Sequence, residues 1–432
     1  MSDTRIKQIR GRRVWDSRGR PTVEAEVELR NGLKARAIAP AGASTGTGEA
    51  LDLRDGGPRF GGMDVSQACA AVNGLISDHL AGQDIGDQAQ LDQRLVALDG
   101  TGNRSRLGSN AMVATSMALL QAAAAAAEQP LWRHLAGARQ VRLPLPEIQI
   151  FGGGAHAARR VDVQDFMIMC PAARSFSEAL EWTAEVYRAA GALLKKSGSL
   201  QGVADEGGYW PVFGSNEQAL DTLMQAILDA GLRAGEQVGI SLDIAASEFG
   251  RKGRYELALE GRTLDSDGMI DMLGGWLANY PILSIEDPLA EDDPEGFRCF
   301  TAAHGARCQV IGDDFLVTNA ARVLAAAEQR SANAVLIKPN QAGTLTEALA
   351  ALQAGKKSGF GTIVSARSGE TEDVTIAHLS VGWDAGQLKV GSFSRSERMA
   401  KWNEVLRIEE SLGAEARFWG WDALPIQRTA NS

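Results

Sequence analysis

The chain has 432 residues, and its 44 Lys and Arg against 54 Asp and Glu give a formal net charge of −10. That length exceeds an ordinary single domain and predicts two domains, or one barrel with an attachment. The acidic balance argues against nucleic acid as a partner. The four cysteines, Cys69, Cys170, Cys299 and Cys308, show no metal-ligand spacing, and the opening MSDTRIKQ has neither a signal-peptide core nor transit-peptide character, so a reducing cytoplasm is expected. The longest apolar stretch, residues 111–127, is dominated by alanine and contains Ser116 and Gln121. It reads as a buried helix rather than a membrane span.

In chain order, Val23, Ala25, Val27 and Leu29 alternate with Glu24, Glu26 and Glu28, which predicts an antiparallel strand with one dry and one wet face. Helical patterns follow over residues 64–79 and 109–127, with Pro130 closing the second. Residues 1–138 therefore read as a separate α+β unit. From Val141 onward, short apolar runs at 238–242, 282–285, 310–311, 334–337 and 362–364 alternate with helical stretches, which predicts a parallel sheet or barrel over residues 139–432. Three glycine-rich segments, AGASTGTGEA at 41–50, FGGGAHAARR at 151–160 and VADEGGYW at 203–210, are candidate lids because glycine permits the backbone changes that closure needs. The second contains His156 and the third Glu206.

Five polar residues end apolar runs: Asp243 in SLDIA, Glu286 in SIEDP, Asp313 in VIGDD, Lys338 in LIKPN and Lys389 in QLKVG. The C-terminal strand ends of an α/β barrel are where catalytic side chains converge. The steps between the five are 43, 27, 25 and 51 residues, against about 30 for one βα unit. Three carboxylates and two lysines would then share one pocket. Hard oxygen ligands of this kind suit Mg²⁺.

The segments DSRGRPTVE, GASTG, DEGG, SIEDP, the Asp pair before VTN, NQAGTL, RSGETED and RSERMAKWNEVLRIEE, in this order from Ile6 to Glu410, resemble the enolase (phosphopyruvate hydratase) family. The resemblance implies an α/β fold: an enolase-type modified (β/α)8 barrel with a smaller N-terminal α+β capping domain. It also implies a homodimer or higher homo-oligomer, a small phosphorylated or phosphonylated carboxylic acid as the partner, and no membrane or nucleic acid. The implied chemistry is abstraction of the proton α to a carboxylate, with one or two Mg²⁺ ions stabilising the product of that step.

Carried over by position, Asp243, Glu286 and Asp313 would hold the first Mg²⁺ and Ser44 the second. Lys389 would be the base, with Lys338 beside it lowering its pKa. Arg367 and Ser368 would hold the phosphate with His156 closing over it, while Gln164, Asp165 and Glu206 would surround the leaving hydroxyl. This hydroxyl end departs from the family pattern. VSARSGETED places Ala366 where a histidine is usual, Gln164-Asp165-Phe166-Met167 replaces QEFM, and QIFGGG replaces an asparagine-bearing loop.

Three functional readings follow. One is a divergent enolase-type enzyme acting on 2-phosphoglycerate or a related acid, including a synthase of carboxyphosphonoenolpyruvate for phosphinate natural products. The second is an ordinary glycolytic enolase, and the third a catalytically dead binding protein. Elsewhere, His79, His134, His304 and His378 read as helix-packing residues, Phe418, Trp419 and Trp421 as packing for the C-terminal segment, and Glu291, Asp292 and Asp293 as a solvated loop. Asp205 and Asp314 neighbour the proposed functional residues. Gly48 reads as a position that loosens the lid or leaves room for a larger ligand.

Overall fold

Three antiparallel strands open the chain: β1 (Ile6–Trp15), β2 (Pro21–Leu29) and β3 (Lys34–Ile38), with β2 central. The computed structural model describes residues 3–43, 45–154 and 161–427. Val23, Ala25, Val27 and Leu29 are fully buried, as the alternation requires. The opposite face is not the wet face expected, since Glu24 and Glu28 are buried as well. As the middle strand, β2 has basic neighbours on both sides. Arg12 reaches Glu24 (2.5 Å) and Glu26 (3.1 Å), Lys7 reaches Glu28 (2.6 Å), and Lys34 and Arg36 approach from β3. Their aliphatic stems cover the carboxylates they neutralise.

The helix expected over 64–79 runs as Ser66–Ala71, Val72–Ile76 and Ser77–Leu80, its middle segment a π turn. Asn73 in that turn accepts from the Gly11 amide (3.1 Å) and donates to the Gly11 carbonyl (2.8 Å), bonding the turn to the edge strand β1. The alanine-rich stretch forms the helix Ser109–Ala126, almost wholly buried. Pro130 does not close it. The helix ends at Ala126, and Pro130 instead precedes the next helix, Leu131–Ala136.

The remaining strands are β4 (Leu145–Gly152), β5 (Asp165–Met169), β6 (Leu200–Val203), β7 (Tyr209–Pro211), β8 (Gly239–Asp243), β9 (Gly250–Arg251), β10 (Arg254–Leu257), β11 (Arg262–Asp265), β12 (Ile282–Glu286), β13 (Gln309–Gly312), β14 (Ala334–Ile337), β15 (Gly361–Ser365) and β16 (Gly386–Ser392). Eight of them, in the order β16-β15-β14-β13-β12-β8-β5-β4, close into a barrel through the pairing of β16 with β4. Simple βα alternation would make every strand parallel. Here β5 is antiparallel to both β4 and β8. Two helices, Phe176–Ser197 and Asn216–Asp229, separate β5 from β8, so the chain crosses the barrel length twice and returns to the end where β5 stopped. From β8 onward one helix lies between successive barrel strands or more than one short piece does, and the pairing is parallel. The reversal places Asp165, the first residue of β5, beside Asp243, the last residue of β8.

One buried cluster runs from Ile6 and Val23 in the first sheet through the Ser109–Ala126 helix to Ala351, Ala377 and Trp402 around the barrel. Trp419 packs under the barrel as expected of the C-terminal aromatics: its Nε1 donates to Asp384 (2.9 Å), and Arg142 lies over its ring. Trp402 is fully buried, donates to the Ser392 carbonyl at the end of β16 (3.1 Å), and sits 6.3 Å from the Phe176 ring. Replacement Trp402→Ala should therefore lower unfolding stability by about 3–5 kcal/mol, read by urea denaturation, with Trp402→Phe losing less.

Candidate active site at the barrel mouth

Asp243 and Glu286 are the last residues of β8 and β12, and Asp313 and Lys338 immediately follow β13 and β14. Lys389 differs: it is the fourth residue of the seven-residue β16, inside the strand rather than at its end. It pairs in register with Ser365 on one side and Glu147 on the other. All five chemistry-bearing residues meet. Lys389 Nζ donates to Asp243 Oδ2 (2.9 Å) and Glu286 Oε2 (2.8 Å) and stands 3.8 Å from Asp165. Lys338 Nζ is paired with Asp313, whose other oxygen accepts from Gln341 Nε2 (2.9 Å).

A small cavity opens on this cluster. Gln164, Asp165, Glu206, Asp243, Lys338 and Lys389 line it. So do Ala366, Arg367 and Ser368, together with Gly42 and Ala43 of the first glycine-rich segment. Glu286 and Asp313 are buried just behind this lining. Ser44 and His156 lie outside the described residues. Gln164 Nε2 donates to Asp243 (3.2 Å), and Gln149 Nε2 donates to Asp165. None of the other histidines reaches the cavity: His79, His134, His304 and His378 sit in or at the ends of helices.

The electrostatics correct one expectation. Lys389 is not lowered on balance. Burial would remove the proton from Lys389, but Asp243, Glu286 and Asp165 outweigh it and hold its pKa well above the ordinary lysine value. Burial, then Asp243, push Glu286 well above the usual carboxylate range. For Asp313 burial acts in the same sense, yet Lys338 overcomes it and the carboxylate stays low.

Arg367 is not a free clamp. Its guanidinium is bound through both terminal nitrogens by Glu49 (2.9 and 3.2 Å) and donates to Asn340 (3.1 Å). Sequence reasoning passed over Glu49, though it sits in the GASTGTGEA segment singled out as a lid. It also passed over Asp287, whose two oxygens accept from the Asp313 and Asp314 amides (3.0 and 2.9 Å). The carboxylates of Asp287, Asp313 and Asp314 lie within 4.8 Å of one another. Burial and Asp313 push Asp314 up to about 8. The SIEDP motif offered the signal for Asp287, next to Glu286. Asp205, by contrast, is exposed.

Two further expectations change. Asp293 is buried, caps the helix Pro294–His304, and accepts from Tyr255 (2.7 Å) and Ser266 (2.6 Å), while Glu291 accepts from the Thr47 amide (3.1 Å). Glu291 thus anchors the lid segment and Asp293 the helix behind it, while Asp292 is exposed as expected of a solvated loop. At Gly48 the space is taken by the Arg322 guanidinium, 2.4 Å from an added Cβ, the end of an exposed side chain that would have to move aside.

Whether this donor set suits Mg²⁺ can be judged from Glu286. Its Oε1 is buried without a hydrogen-bond partner, an arrangement that costs free energy unless a cation or donor meets it. Asp243, Glu286 and Asp313 offer only hard oxygen, so the residues fit the ion.

Glu147, on β4, is a further fully buried carboxyl beside Lys389 in register. Ser241 donates to one oxygen (3.2 Å), and the other has no partner. Burial pushes its pKa up to about 7 against the pull of Lys389. An acid whose folded pKa exceeds its unfolded value favours the folded state below the unfolded pKa and loses that contribution as pH rises from about 4.5 to about 7. Glu147→Gln should flatten this loss, so that the variant gains about 1–3 kcal/mol over wild type between pH 5 and pH 8 in urea unfolding.

Two family descriptions cover the chain: the enolase N-terminal domain matches residues 6–135, and the enolase C-terminal TIM barrel domain matches residues 140–426. Enolase 1 of Desulfitobacterium hafniense (strain Y51) is 48% identical over 421 residues, spanning 97% of this chain and 96% of that protein. With lysines and carboxylates gathered at the mouth of a closed barrel, these matches place the chain in the enolase family, as a lyase of the enolase superfamily.

Proposed function

We propose that the protein converts 2-phosphoglycerate to phosphoenolpyruvate and water. The observation that carries this reading is Lys389, held at the cavity wall between Asp243 and Glu286. Lys389 takes the α-proton as a free amine, so the negative charge around its nitrogen must be compensated when the substrate binds. Mg²⁺ held by Asp243, Glu286 and Asp313, with Ser44 as a ligand for a second ion, would supply that compensation and the positive charge that stabilises an enolate.

The remaining residues bind and orient. Lys338, kept charged by Asp313 against the effect of burial, faces the substrate carboxylate. Arg367 and Ser368 meet the phosphate, with His156 as the third contact. Gln164, Asp165 and Glu206 lie at the β-hydroxyl end, where Ala366 contributes only a methyl group. A cytoplasmic homodimer belongs to the same reading through family membership. No helix among the described residues is long and apolar enough to cross a membrane.

The Ala366 position favours a second reading. With no imidazole beside the leaving group, the natural substrate would be a related acid with a different β-substituent. Nothing in the comparisons supports the narrower expectation of a carboxyphosphonoenolpyruvate synthase, and an ordinary enolase fits them at least as well. A catalytically dead fold does not agree with the intact lysine and carboxylate cluster, since buried charges without a ligand cost stability.

Two measurements test these statements. General acid assistance is worth roughly 10²–10⁴ in rate, so Ala366→His should raise phosphoenolpyruvate formation by about 10-fold or more. Exchange of the α-proton by wild type with no phosphoenolpyruvate formed would favour the second reading. Lys389→Ala should abolish exchange of the α-proton with solvent deuterium while Mg²⁺ binding persists, and surviving exchange would move the base elsewhere.

A further inference from the structure

The β1–β2 hairpin tip, residues 16–20, is inserted from the capping sheet against the turn that carries Arg367 and Ser368. Asp16 shapes the tip, its Oδ1 accepting from the amides of Arg18 and Arg20 (both 2.8 Å). The Ser17 amide donates to the Glu370 carbonyl (2.8 Å). Gly369 exchanges two backbone hydrogen bonds with Ala41 (both 2.9 Å). An added Cβ at Gly369 would stand 2.5 Å from Asp16 Oδ2 and 2.8 Å from Arg18 Nη2, so the approach needs glycine.

At the centre of this junction the Arg18 side chain is only 6% exposed. Nη1 donates to Ser368 Oγ (3.2 Å), and Nη2 donates to the carbonyls of Ala41 (3.0 Å) and Gly42 (3.2 Å). Its acidic neighbour Asp16 is 3.7 Å away, too far for a hydrogen bond, and Nε is buried without a partner. Burial, aided by the charges of Arg20 and Arg367, lowers the Arg18 pKa against the pull of Asp16 and Asp205. A guanidinium this poorly neutralised favours an anion nearby. Because Ser368 Oγ accepts from Arg18, its own hydrogen is free to be donated into the cavity, which Ser368 and Gly42 both line.

We propose that Arg18 is a positioning residue of the anion end of the site: it orients the Ser368 hydroxyl, holds the Ala41–Gly42 strap over the cavity, and adds the capping domain's positive charge to that of Arg367. This rests on the reading that Arg367 and Ser368 meet a phosphate group. The rigid planar fork is needed because three acceptors are held at once, which an ammonium on a flexible stem cannot reproduce.

The test compares wild type, Arg18→Met and Arg18→Lys. It reads kcat and KM for 2-phosphoglycerate, and the inorganic phosphate concentration that half-protects the Mg²⁺-loaded protein from thermal unfolding. Hydrogen bonds to a charged group support an expected rise of about 10-fold or more in both KM and the half-protecting phosphate concentration for Arg18→Met, with kcat within about 3-fold. Arg18→Lys should keep the fold and show a smaller rise, which serves if Arg18→Met does not fold. Unchanged KM and phosphate protection in a folded variant would overturn the proposal, as would a fall in kcat and Tm with KM unchanged. Phosphate protection that depends on Arg18 in a protein that does not turn over 2-phosphoglycerate would sink the substrate assignment and leave this proposal standing.

Discussion

Lys389 sits 2.9 Å from Asp243 and 2.8 Å from Glu286, and the half-buried Lys338 is paired with Asp313, so two ammonium groups and three carboxylates are gathered at one end of the barrel. Burying such charges is expensive unless each is paired and hydrogen-bonded. Much of the surrounding architecture serves that requirement. Gln164 donates to Asp243, Gln341 to Asp313 and Gln149 to Asp165, all neutral amides that satisfy lone pairs without adding charge. Glu286 Oε1 is the oxygen left over, which makes it the place where the cluster is incomplete without a cation.

The capping domain is part of this site. Its helix Ser109–Ala126 shares one apolar core with the helices around the barrel. On the polar side, Glu49 from the first glycine-rich segment binds Arg367, and Arg18 from the hairpin tip binds Ser368. On the proposed assignment the anion end draws on both parts of the chain, while the proton-abstracting end comes from barrel strands.

At the proposed β-hydroxyl end the lining combines Gln164, Asp165 and Glu206 with the methyl group of Ala366. Ala366 offers a methyl group, and its amide donates to the Lys389 carbonyl, so its backbone serves the strand pairing. Asp165 is turned toward Gln149 and stands 3.8 Å from Lys389. The shorter carboxylate thereby joins the lysine cluster as a third, more distant anion. Glu206 is then the carboxyl of this end closest to the form the family pattern leads one to expect.

Four of the five polar residues were legible in the sequence as strand-end groups because strand patterns are local, whereas Lys389 lies inside its strand. The same holds for the barrel, the alanine-rich buried helix and the family. The sequence by itself determined which functional groups are present and in what order along the barrel. Only the tertiary structure decided which of them touch. The reversal of β5 depends on two helices crossing the barrel in succession. The pairing of Arg367 with Glu49 spans 318 residues, and that of Arg18 with Ser368 spans 350. The high pKa of Lys389 reflects three carboxylates gathered from three strands. No period-two or helical pattern records a contact between residues so far apart, because such contacts are set by the closure of the barrel and the docking of the capping sheet.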